Sequence, residues 1–292
     1  MSDFSARFVN CNGTLISPQD ATVSVLGSTL YGAFGVYESI QLWNGVVFHL
    51  DDHLSRLLAS ASAIHLPLAG DLAAHKAWLN ELIRAEGSPP DATIRLFSVG
   101  PETGGPEADT PPRSFIWLET LRPPSPQTIQ EGVGAVSYRG ERALPTVKSL
   151  NTLVNTLARR AAQAAGEHEG LLVDAAGCVR EGASSTFYAV QDGSLLIPPA
   201  ADILEGVTLQ IVLDLAGKAG IPVRRVSLPL AERNRWDEAF LTSTSRHILP
   251  LVRLDGESIG DGAPGLVTGE LSRRFEGYFE RITGRAYGPV SE

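Results

Sequence analysis

The chain has 292 residues, of which 43% are hydrophobic and 20% are charged, and its net charge is −9. This composition is typical of a globular protein with one large or two modest domains. The acidic balance and the lack of any Lys/Arg-rich run argue against nucleic acid or acidic membranes as partners, because both require clustered positive charge. No apolar stretch approaches the length of a membrane span. Cys11 and Cys178 are too few for a disulfide framework or a cysteine-based metal site, so we expect a cytoplasmic protein without a metal.

The first part of the chain predicts a mixture of strands and helices. Asn12-Gly13 and Asn44-Gly45 are strong signals for tight hairpin turns, and apolar residues recur at helical spacing after Asp51. The predicted elements are a hairpin over 6–17, strands over 36–42 and 46–50, helices over 51–64 and 72–85, and strands over 93–99 and 114–119. The Gly- and Pro-rich stretch 101–113 is expected to be a long mobile loop that serves a site or an interface.

The proline-rich stretch 121–127 cannot continue a helix or a central strand, and it is the predicted interdomain linker. Beyond it the predicted elements are strands over 133–138, 170–174, 187–191, 194–197, 223–226 and 238–242, and helices over 149–165, 208–219 and 266–282. Strands and helices alternate without a regular βαβ repeat, which argues against a doubly wound sheet or a TIM barrel. The predicted fold class is α+β, with a small α+β domain over 1–120 and a larger domain, a β core with flanking helices, over 128–292.

Lysine is scarce in this chain. Only Lys76, Lys148 and Lys218 occur among the 24 basic residues. Lys76 and Lys218 fit a solvated helix face and a helix C-terminus, whereas Lys148 has no acidic residue within five positions on either side. Lysine can lose its proton and form an imine, which arginine cannot do. Lys148 is therefore a candidate nucleophile, although codon bias and an ordinary surface lysine explain the same pattern.

Three further stretches carry candidate chemistry. Glu181 is followed by Gly-Ala-Ser-Ser, which fits either a polar turn between strands or a carboxylate directed into a crowded site. Gly206-Val-Thr208 precedes an apolar-periodic helix, which fits either an ordinary capped helix or an anion site at a helix N-terminus. Thr242-Ser-Thr-Ser245 adds hydroxyl groups after a predicted strand.

Together these motifs resemble the class IV (fold type IV) aminotransferases. The motifs that carry the resemblance are Arg56 in His-Leu-Ser-Arg-Leu, Lys148 in Lys-Ser-Leu-Asn, Glu181 in Glu-Gly-Ala-Ser-Ser, Gly206-Val-Thr208 and Thr242-Ser-Thr244. The resemblance spans nearly the whole chain. The family contains branched-chain aminotransferases, D-amino-acid transaminases, (R)-selective amine transaminases and aminodeoxychorismate lyases, so its two-domain fold is the one expected here.

The resemblance implies that pyridoxal 5'-phosphate is the cofactor. Lys148 would form the internal aldimine and then move a proton between the substrate Cα and the cofactor C4′, and Glu181 would pair with the protonated pyridine nitrogen. The residues that would contact the phosphate and the ring are Arg56, Leu204, Gly206, Val207, Thr208, Ser243 and Thr244. The residues that would contact the substrate are Tyr31, Tyr37, Arg95 and Ser245, with Arg95 receiving a distal carboxylate of the 2-oxoglutarate type.

Several positions depart from the family pattern. Leu209 stands where the family usually has arginine, and Thr186 stands where it usually has asparagine. Leu153 occupies the position of a tyrosine that branched-chain enzymes place near the phenolic oxygen of the cofactor. Gly100 occupies the strand end from which an arginine of D-amino-acid transaminases holds the substrate carboxylate. The way in which this chain holds a substrate carboxylate is therefore left open by the sequence.

The resemblance predicts a ping-pong transaminase that acts on small-molecule amino acids and 2-oxo acids as a homodimer or higher homo-oligomer. Tyr31-Gly and Ile94-Arg-Leu resemble the branched-chain enzymes, so a branched-chain L-amino acid is the favoured donor. Lys-Ser-Leu-Asn is closer to the D-amino-acid branch, which keeps a D-amino acid or an (R)-amine as the alternative. Two other hypotheses fit the sequence less well. A lyase usually has Lys-His-Leu-Asn and a threonine at the position of Glu38, and this chain has neither. A non-catalytic cofactor-binding protein would not need both Lys148 and Glu181.

Overall fold

The computed structural model describes residues 6–25, 27–101 and 110–288. Most of the predicted loop over 101–113 lies outside these residues. The chain forms two compact units. The first comprises Met1–Arg122, Val147–Asn151 and Ile282–Gly284, and the second comprises Pro123–Thr146, Thr152–Arg281 and Arg285–Glu292. Lys148 thus belongs to the first unit, and the domain limits proposed from the sequence stay a prediction.

The described part of the first unit is an antiparallel sheet with three helices. Its elements are β1 (Val9–Cys11), β2 (Thr14–Ile16), α1 (Ser28–Gly32), β3 (Gly35–Trp43), β4 (Val46–Val47), α2 (Leu50–Ala63), α3 (Leu72–Ala85), β5 (Ala92–Val99) and β6 (Arg113–Glu119). The strand order is β2-β1-β6-β5-β3-β4, which places the three longest strands of this sheet side by side. A short 3-10 turn over Pro18–Asp20 follows the first hairpin.

The hydrophobic core of this unit forms between one face of the sheet and the helices α2 and α3. Leu54 and Leu57 lie on one face of α2, and Leu79 and Leu82 lie on one face of α3, because residues three apart share a helix face. The core strand residues that pack with them include Val36, Ile40, Ile94, Leu96, Ile116 and Leu118. Since side chains alternate along a strand, the intervening residues of β3, β5 and β6 lie on the opposite face of the sheet.

The second unit contains the remaining strands and helices, except for the last two residues of the final helix, which belong to the first unit. Its elements are α4 (Pro126–Glu131), β7 (Val133–Arg139), α5 (Leu153–Ala164), β8 (Glu169–Val173), β9 (Val179–Gly182), β10 (Thr186–Gln191), β11 (Ser194–Ile197), α6 (Val207–Lys218), β12 (Val223–Arg225), β13 (Glu238–Ser243), β14 (His247–Leu254), β15 (Glu257–Ser258) and α7 (Leu266–Thr283). Short 3-10 turns lie over Ala200–Asp202 and Leu230–Arg235.

The sheet of the second unit is mixed. Its main path is β12-β11-β10-β13-β14-β7-β8-β9, and β15 pairs with β14. The pairs β11–β12, β14–β7 and β7–β8 are parallel, and the other pairs are antiparallel. Phe187, Trp236 and Leu241 belong to its buried core, where the rings of Phe187 and Trp236 lie 5.4 Å apart. This mixture of pairings confirms the predicted α+β class and the absence of a regular βαβ repeat.

Several elements differ from the sequence-based expectation, and the short elements α1, α4, β9 and β15 were not predicted. The predicted helix over 149–165 begins only at Leu153, so Lys148 lies in an irregular segment ahead of α5. The strand β14 was not predicted, because Pro250 interrupts a continuously apolar run and proline usually argues against an interior strand. In the part of the chain that the structure describes, no helix is long and apolar enough to cross a membrane.

Candidate active site

Backbone hydrogen bonds fix the position of Lys148 in the first unit. The strand β4 pairs only with the far end of β3, which leaves the edge of β3 near Gly35 available for another segment. The carbonyl of Lys148 accepts a hydrogen bond from the Tyr37 N–H at 3.0 Å, and the Leu150 N–H donates to the Gly35 carbonyl at 2.9 Å. The Lys148 N–H donates to Ser60 Oγ at 3.1 Å. The segment around Lys148 is therefore held in place although it is neither helix nor strand.

The amine of Lys148 lies over an aromatic ring. Its Nζ is 4.4 Å from the centroid of the Tyr37 ring, which is a cation–π distance worth about 0.5–2 kcal/mol when the amine is charged. Tyr37 and Lys148 are both half-buried. The structure thus brings together two of the residues predicted for the site, and it assigns Tyr37 a contact with the candidate nucleophile.

Arg56, the predicted phosphate ligand, is part of a buried charged network. Its Nε and Nη2 donate to the two oxygens of Glu38 at 2.8 and 2.7 Å, and His53 Nδ1 lies 2.8 Å from Glu38 Oε2. Burial disfavours the charge on Glu38, but Arg56 and His53 outweigh it and lower the pKa of the carboxyl to about 2. Burial is also the main reason why the pKa of His53 is lowered, and the nearby charges of Arg56 and Lys148 act in the same direction. Glu38 therefore stays ionised and orients the Arg56 guanidinium.

In the second unit, Glu181 is also held by an arginine. It lies on β9 opposite Leu172 of β8 and is only 7% exposed. Arg142 Nε donates to Glu181 Oε1 at 2.6 Å, and the Leu204 N–H donates to Oε2 at 3.4 Å. The guanidinium of Arg142 also donates to the carbonyl of Pro145. This arrangement keeps the Glu181 carboxylate in one orientation and places Leu204 beside it.

The N-terminus of α6 offers backbone donors. Gly206 is the N-cap residue, and no side chain of the described residues caps the helix there. Val207 and Thr208 form the first turn, and both are buried. A Cβ at position 206 would meet only ordinary van der Waals contacts, the nearest with Thr186 Oγ1 at 3.4 Å. Free N–H groups and the helix dipole at such a terminus favour a phosphate.

The turn between β13 and β14 carries the predicted hydroxyl residues Ser243, Thr244 and Ser245. Arg246 anchors this turn, because its Nε donates to Ser243 Oγ at 3.0 Å and its Nη2 donates to Glu169 Oε2 at 3.0 Å. Tyr287 Oη donates to the Ser245 carbonyl at 2.5 Å. The carbonyl of Ser245 is therefore engaged in fixing the turn.

Two other residues predicted to contact the substrate are Tyr31 and Arg95. Tyr31 lies on α1 and is 97% exposed in the single chain. Arg95 lies on β5, and its Nε donates to Glu119 Oε2 of β6 at 2.9 Å. Arg95 is thus paired with a carboxylate of the neighbouring strand, and Tyr31 contributes a ring to the surface of the unit.

Sequence reasoning did not assign the partners of the predicted residues. Glu38, Arg142 and Arg246 each contact a candidate residue, yet they are 18, 39 and 3 positions away from Arg56, Glu181 and Ser243. No local spacing indicates the first two, because strand pairing and loop paths create the contacts. The serines after Glu181 gave a partial signal, since Ser184 and Ser185 both donate to Glu169 at 3.0 Å.

Known proteins are similar to this chain over most of its length. Residues 35–254 match the family "Amino-transferase class IV". A putative branched-chain-amino-acid aminotransferase from Methanocaldococcus jannaschii is 33% identical over 280 residues, covering 91% of this chain and 94% of the relative. A D-alanine aminotransferase from Bacillus licheniformis is 32% identical over 261 residues, covering 88% of this chain and 92% of the relative.

Solved structures give the same result. The branched-chain amino acid aminotransferase of Escherichia coli superposes with a TM-score of 0.83 at 28% identity, covering 94% of each chain. A branched-chain amino acid aminotransferase from T.th., solved with pyridoxamine 5'-phosphate, superposes with a TM-score of 0.85 at 25% identity, covering 96% of this chain and 95% of that one. These similarities confirm the predicted fold type IV architecture.

The donor groups of this chain fit pyridoxal phosphate. Lys148 offers an amine on a fixed backbone, Glu181 offers an oriented carboxylate, and Gly206 precedes a helix N-terminus that no described side chain caps. An amine for the aldehyde, a carboxylate for the ring nitrogen and backbone donors for the phosphate are the groups that this cofactor requires. The chain therefore belongs to the class IV aminotransferases and is a pyridoxal-phosphate-dependent enzyme.

Proposed function

We propose that this enzyme transfers an amino group between a branched-chain L-amino acid and a 2-oxo acid in a ping-pong reaction with Lys148 as the catalytic residue. The observation that carries the proposal is a difference among the three lysines in their ion pairs with carboxylates. Lys76 pairs with Asp51, and Lys218 pairs with Asp214 at 2.6 Å, whereas Lys148 makes no ion pair with a described residue. An amine that is not engaged by a carboxylate is available to attack a carbonyl, so Lys148 is the lysine best suited to form an imine.

The residues of the chain have separate tasks in this proposal. Pyridoxal phosphate supplies a ring that withdraws the electrons left on the substrate Cα when its proton is removed. Lys148 Nζ would hold the cofactor and would afterwards take the proton from the substrate Cα and deliver it to the cofactor C4′. Arg142 keeps the Glu181 carboxylate oriented, so that it can accept the N–H of a protonated pyridine ring. Leu204 would pack on the ring face.

The phosphate is proposed to bind at hydrogen-bond donors of the predicted residues. These are the N–H groups of Val207 and Thr208 behind Gly206, and hydroxyl groups in the turn that contains Ser243 and Thr244. Arg56 gives Nε and Nη2 to Glu38, so its Nη1 is proposed as a further phosphate donor. Both kinds of donor prefer an anion.

A D-amino-acid transaminase is the second candidate. The relatives named D-alanine aminotransferase match this chain about as well as the relative named branched-chain aminotransferase, and Leu153, in place of a tyrosine, is 67% exposed. An (R)-amine donor belongs to the same alternative. The pairing of Arg95 with Glu119 argues against Arg95 as the receptor of a distal carboxylate of 2-oxoglutarate. A homodimer and a cytoplasmic location stay predictions.

The test compares Lys148→Ala with Lys76→Ala and Lys218→Ala as matched controls. Each variant is incubated with pyridoxal phosphate and reduced with borohydride, and the labelled peptide is identified by mass spectrometry. We expect wild type and both controls to carry the label on Lys148 and to transaminate, and we expect Lys148→Ala to do neither. Label on another lysine, or full transamination by Lys148→Ala, would contradict the proposal.

A donor panel separates the two candidates. Wild-type enzyme is mixed with L-leucine, D-alanine or (R)-1-phenylethylamine, and conversion of the cofactor to its amine form is followed by absorbance. Conversion by L-leucine alone supports the branched-chain reaction, whereas conversion by D-alanine or the (R)-amine supports the alternative. Release of pyruvate from aminodeoxychorismate, without a response to any of the three amines, would identify a lyase instead.

A further inference from the structure

An aromatic row crosses one face of the first unit's sheet and begins at Lys148. Tyr37, Phe97 and Trp117 lie on the adjacent strands β3, β5 and β6, on the face opposite the α2–α3 core. The Tyr37 and Phe97 centroids are 5.6 Å apart, and those of Phe97 and Trp117 are 4.9 Å apart. All three rings are only half-buried. The amine of Lys148, 4.4 Å from the Tyr37 ring, thus stands at one end of a continuous aromatic surface.

Two opposite charges beside this row are paired with each other. Arg95 and Glu119 lie on the same face as the rings, and Arg95 Nε donates to Glu119 Oε2 at 2.9 Å. The indole Nε1–H of Trp117 donates to the other oxygen, Glu119 Oε1, at 3.0 Å. Glu119 therefore uses both oxygens, one to neutralise Arg95 and the other to orient Trp117.

We propose that Glu119 is a specificity residue of the transaminase: by pairing with Arg95, on the face that also carries Tyr37, it excludes a distal carboxylate and favours amino acids with large apolar or aromatic side chains. The inference rests on the proposed function of Lys148, because a substrate side chain is joined to the Cα that reacts at this amine. Such a side chain must extend from the neighbourhood of Lys148 Nζ, and the ring of Tyr37 is the aromatic surface of the same unit that lies against this amine.

The chemistry of the row favours this substrate class. Aromatic surface gains free energy by covering apolar groups and offers ring faces for stacking. A carboxylate that reached Arg95 would also approach Glu119, and the two charges act on it with opposite signs. Because the side chains of Arg95 and Glu119 are about one-third exposed, solvent partly screens both charges. The two charges still compensate each other, since they are screened to a similar extent. Arg95 therefore adds no net attraction for a dicarboxylic substrate while Glu119 is ionised.

The test measures specificity in the holoenzyme of wild type, Glu119→Gln and Glu86→Gln. Glu86 is a matched control, because it pairs with Arg7 in the same unit, away from the row. We expect wild type to prefer L-phenylalanine and L-leucine to L-glutamate. Glu119→Gln should raise the ratio of kcat/KM for L-glutamate to that for L-leucine about tenfold, through KM, because it leaves the charge of Arg95 uncompensated. Glu86→Gln should leave this ratio as in wild type.

A binding measurement gives a readout that does not depend on turnover. The dissociation constants of glutarate and 4-phenylbutyrate are measured from the absorbance of the bound cofactor. Wild type should bind 4-phenylbutyrate more tightly, Glu119→Gln should gain affinity for glutarate, and Phe97→Leu should lose affinity for 4-phenylbutyrate. If Glu119→Gln instead weakens glutarate binding or leaves it unchanged, Glu119 serves to hold Arg95 for a carboxylate or has no part in selection, and the proposal is overturned.

Failure of the proposed function has a different signature. In that case wild type transfers no amino group from any donor, and Lys148 is not labelled by the cofactor. Binding of the two acids is then measured by calorimetry, and equal affinity of wild type for both, or no binding of either, would overturn the inference. An active wild type with a tenfold or greater preference for L-glutamate over L-phenylalanine would overturn the inference and leave the transaminase intact.

Discussion

Replacing Glu38 with glutamine is expected to destabilise the first unit strongly. The Glu38 side chain is fully buried, and both of its oxygens accept hydrogen bonds from Arg56, whose side chain is only 14% exposed. His53, which is almost equally buried, contacts the same carboxylate. Glutamine keeps the size of the side chain but removes the charge, so the guanidinium of Arg56 would remain buried beside a neutral amide.

The size of the effect follows from the burial of the pair. Removing one partner of a buried ion pair costs about 3–5 kcal/mol, because the remaining charge is left uncompensated. The amide oxygen of the introduced glutamine can still accept one hydrogen bond from Arg56, so we expect the lower end of this range, about 3 kcal/mol. For a protein of this size that cost corresponds to a fall in Tm of roughly 6–12 °C.

Urea unfolding followed by tryptophan fluorescence is a suitable assay, because Trp43, Trp78 and Trp117 lie in the first unit and only Trp236 lies in the second. The matched control is Asp214→Asn, which removes an exposed ion pair with Lys218 and should cost at most about 0.5 kcal/mol.

The pH dependence of stability gives a second test of the Glu38→Gln prediction. The carboxyl of Glu38 has a pKa lowered from 4.5 to about 2, so its contribution to stability is complete above pH 4.5 and is lost as the pH falls toward 2. The difference between wild type and Glu38→Gln should shrink over that window. A cost below about 1 kcal/mol at pH 7 would refute the reasoning, since it would mean that water replaces the missing charge.

Three further predictions test other parts of the structure. Gly35→Ala should cost about 1–3 kcal/mol in urea unfolding and weaken binding of pyridoxal phosphate, because the added Cβ would lie 2.5 Å from Leu150 Cδ1 and 2.7 Å from the Ser98 carbonyl oxygen and would displace the segment that carries Lys148. Gly269→Ala, in α7, meets no atom within 4 Å and should stabilise the chain by about 0.5–1 kcal/mol in the same assay; destabilisation would contradict the open helix face. Burial lowers the pKa of His247 below 6.5, so below pH 6.5 this histidine binds a proton more readily in the unfolded chain than in the folded chain. The unfolding free energy therefore falls as the pH drops below 6.5. His247→Phe should make that pH dependence shallower, and an unchanged slope between about pH 6.5 and 5 would argue against it.

The periodic parts of the fold could be predicted because short-range rules decide them. The helix α3 was predicted over its observed bounds, since apolar residues recur along Leu72–Ala85 at helical spacing. The strand β14 could not be predicted in this way, because its residues are almost all buried and show no alternation. Its register with β13, which sets Ser243 opposite His247, depends on pairing between strands and carries no signal in either segment alone.

In the candidate site, too, local motifs indicate some residues, whereas the contacts of others depend on the tertiary fold. Lys148 and Glu181 could be named from their motifs, because the chemistry of an imine and of a ring-nitrogen partner restricts the residue types. The arginines could not be assigned, because the function of an arginine depends on the carboxylate that the fold brings to it. Arg142 has no distinctive neighbours in sequence, yet it orients Glu181 at 2.6 Å. Arg95 matches a substrate-binding motif, yet the pairing of β5 with β6 places Glu119 against it. In a chain where nearly every cation is an arginine, the positions of the carboxylates therefore determine which positive charges remain available to a substrate.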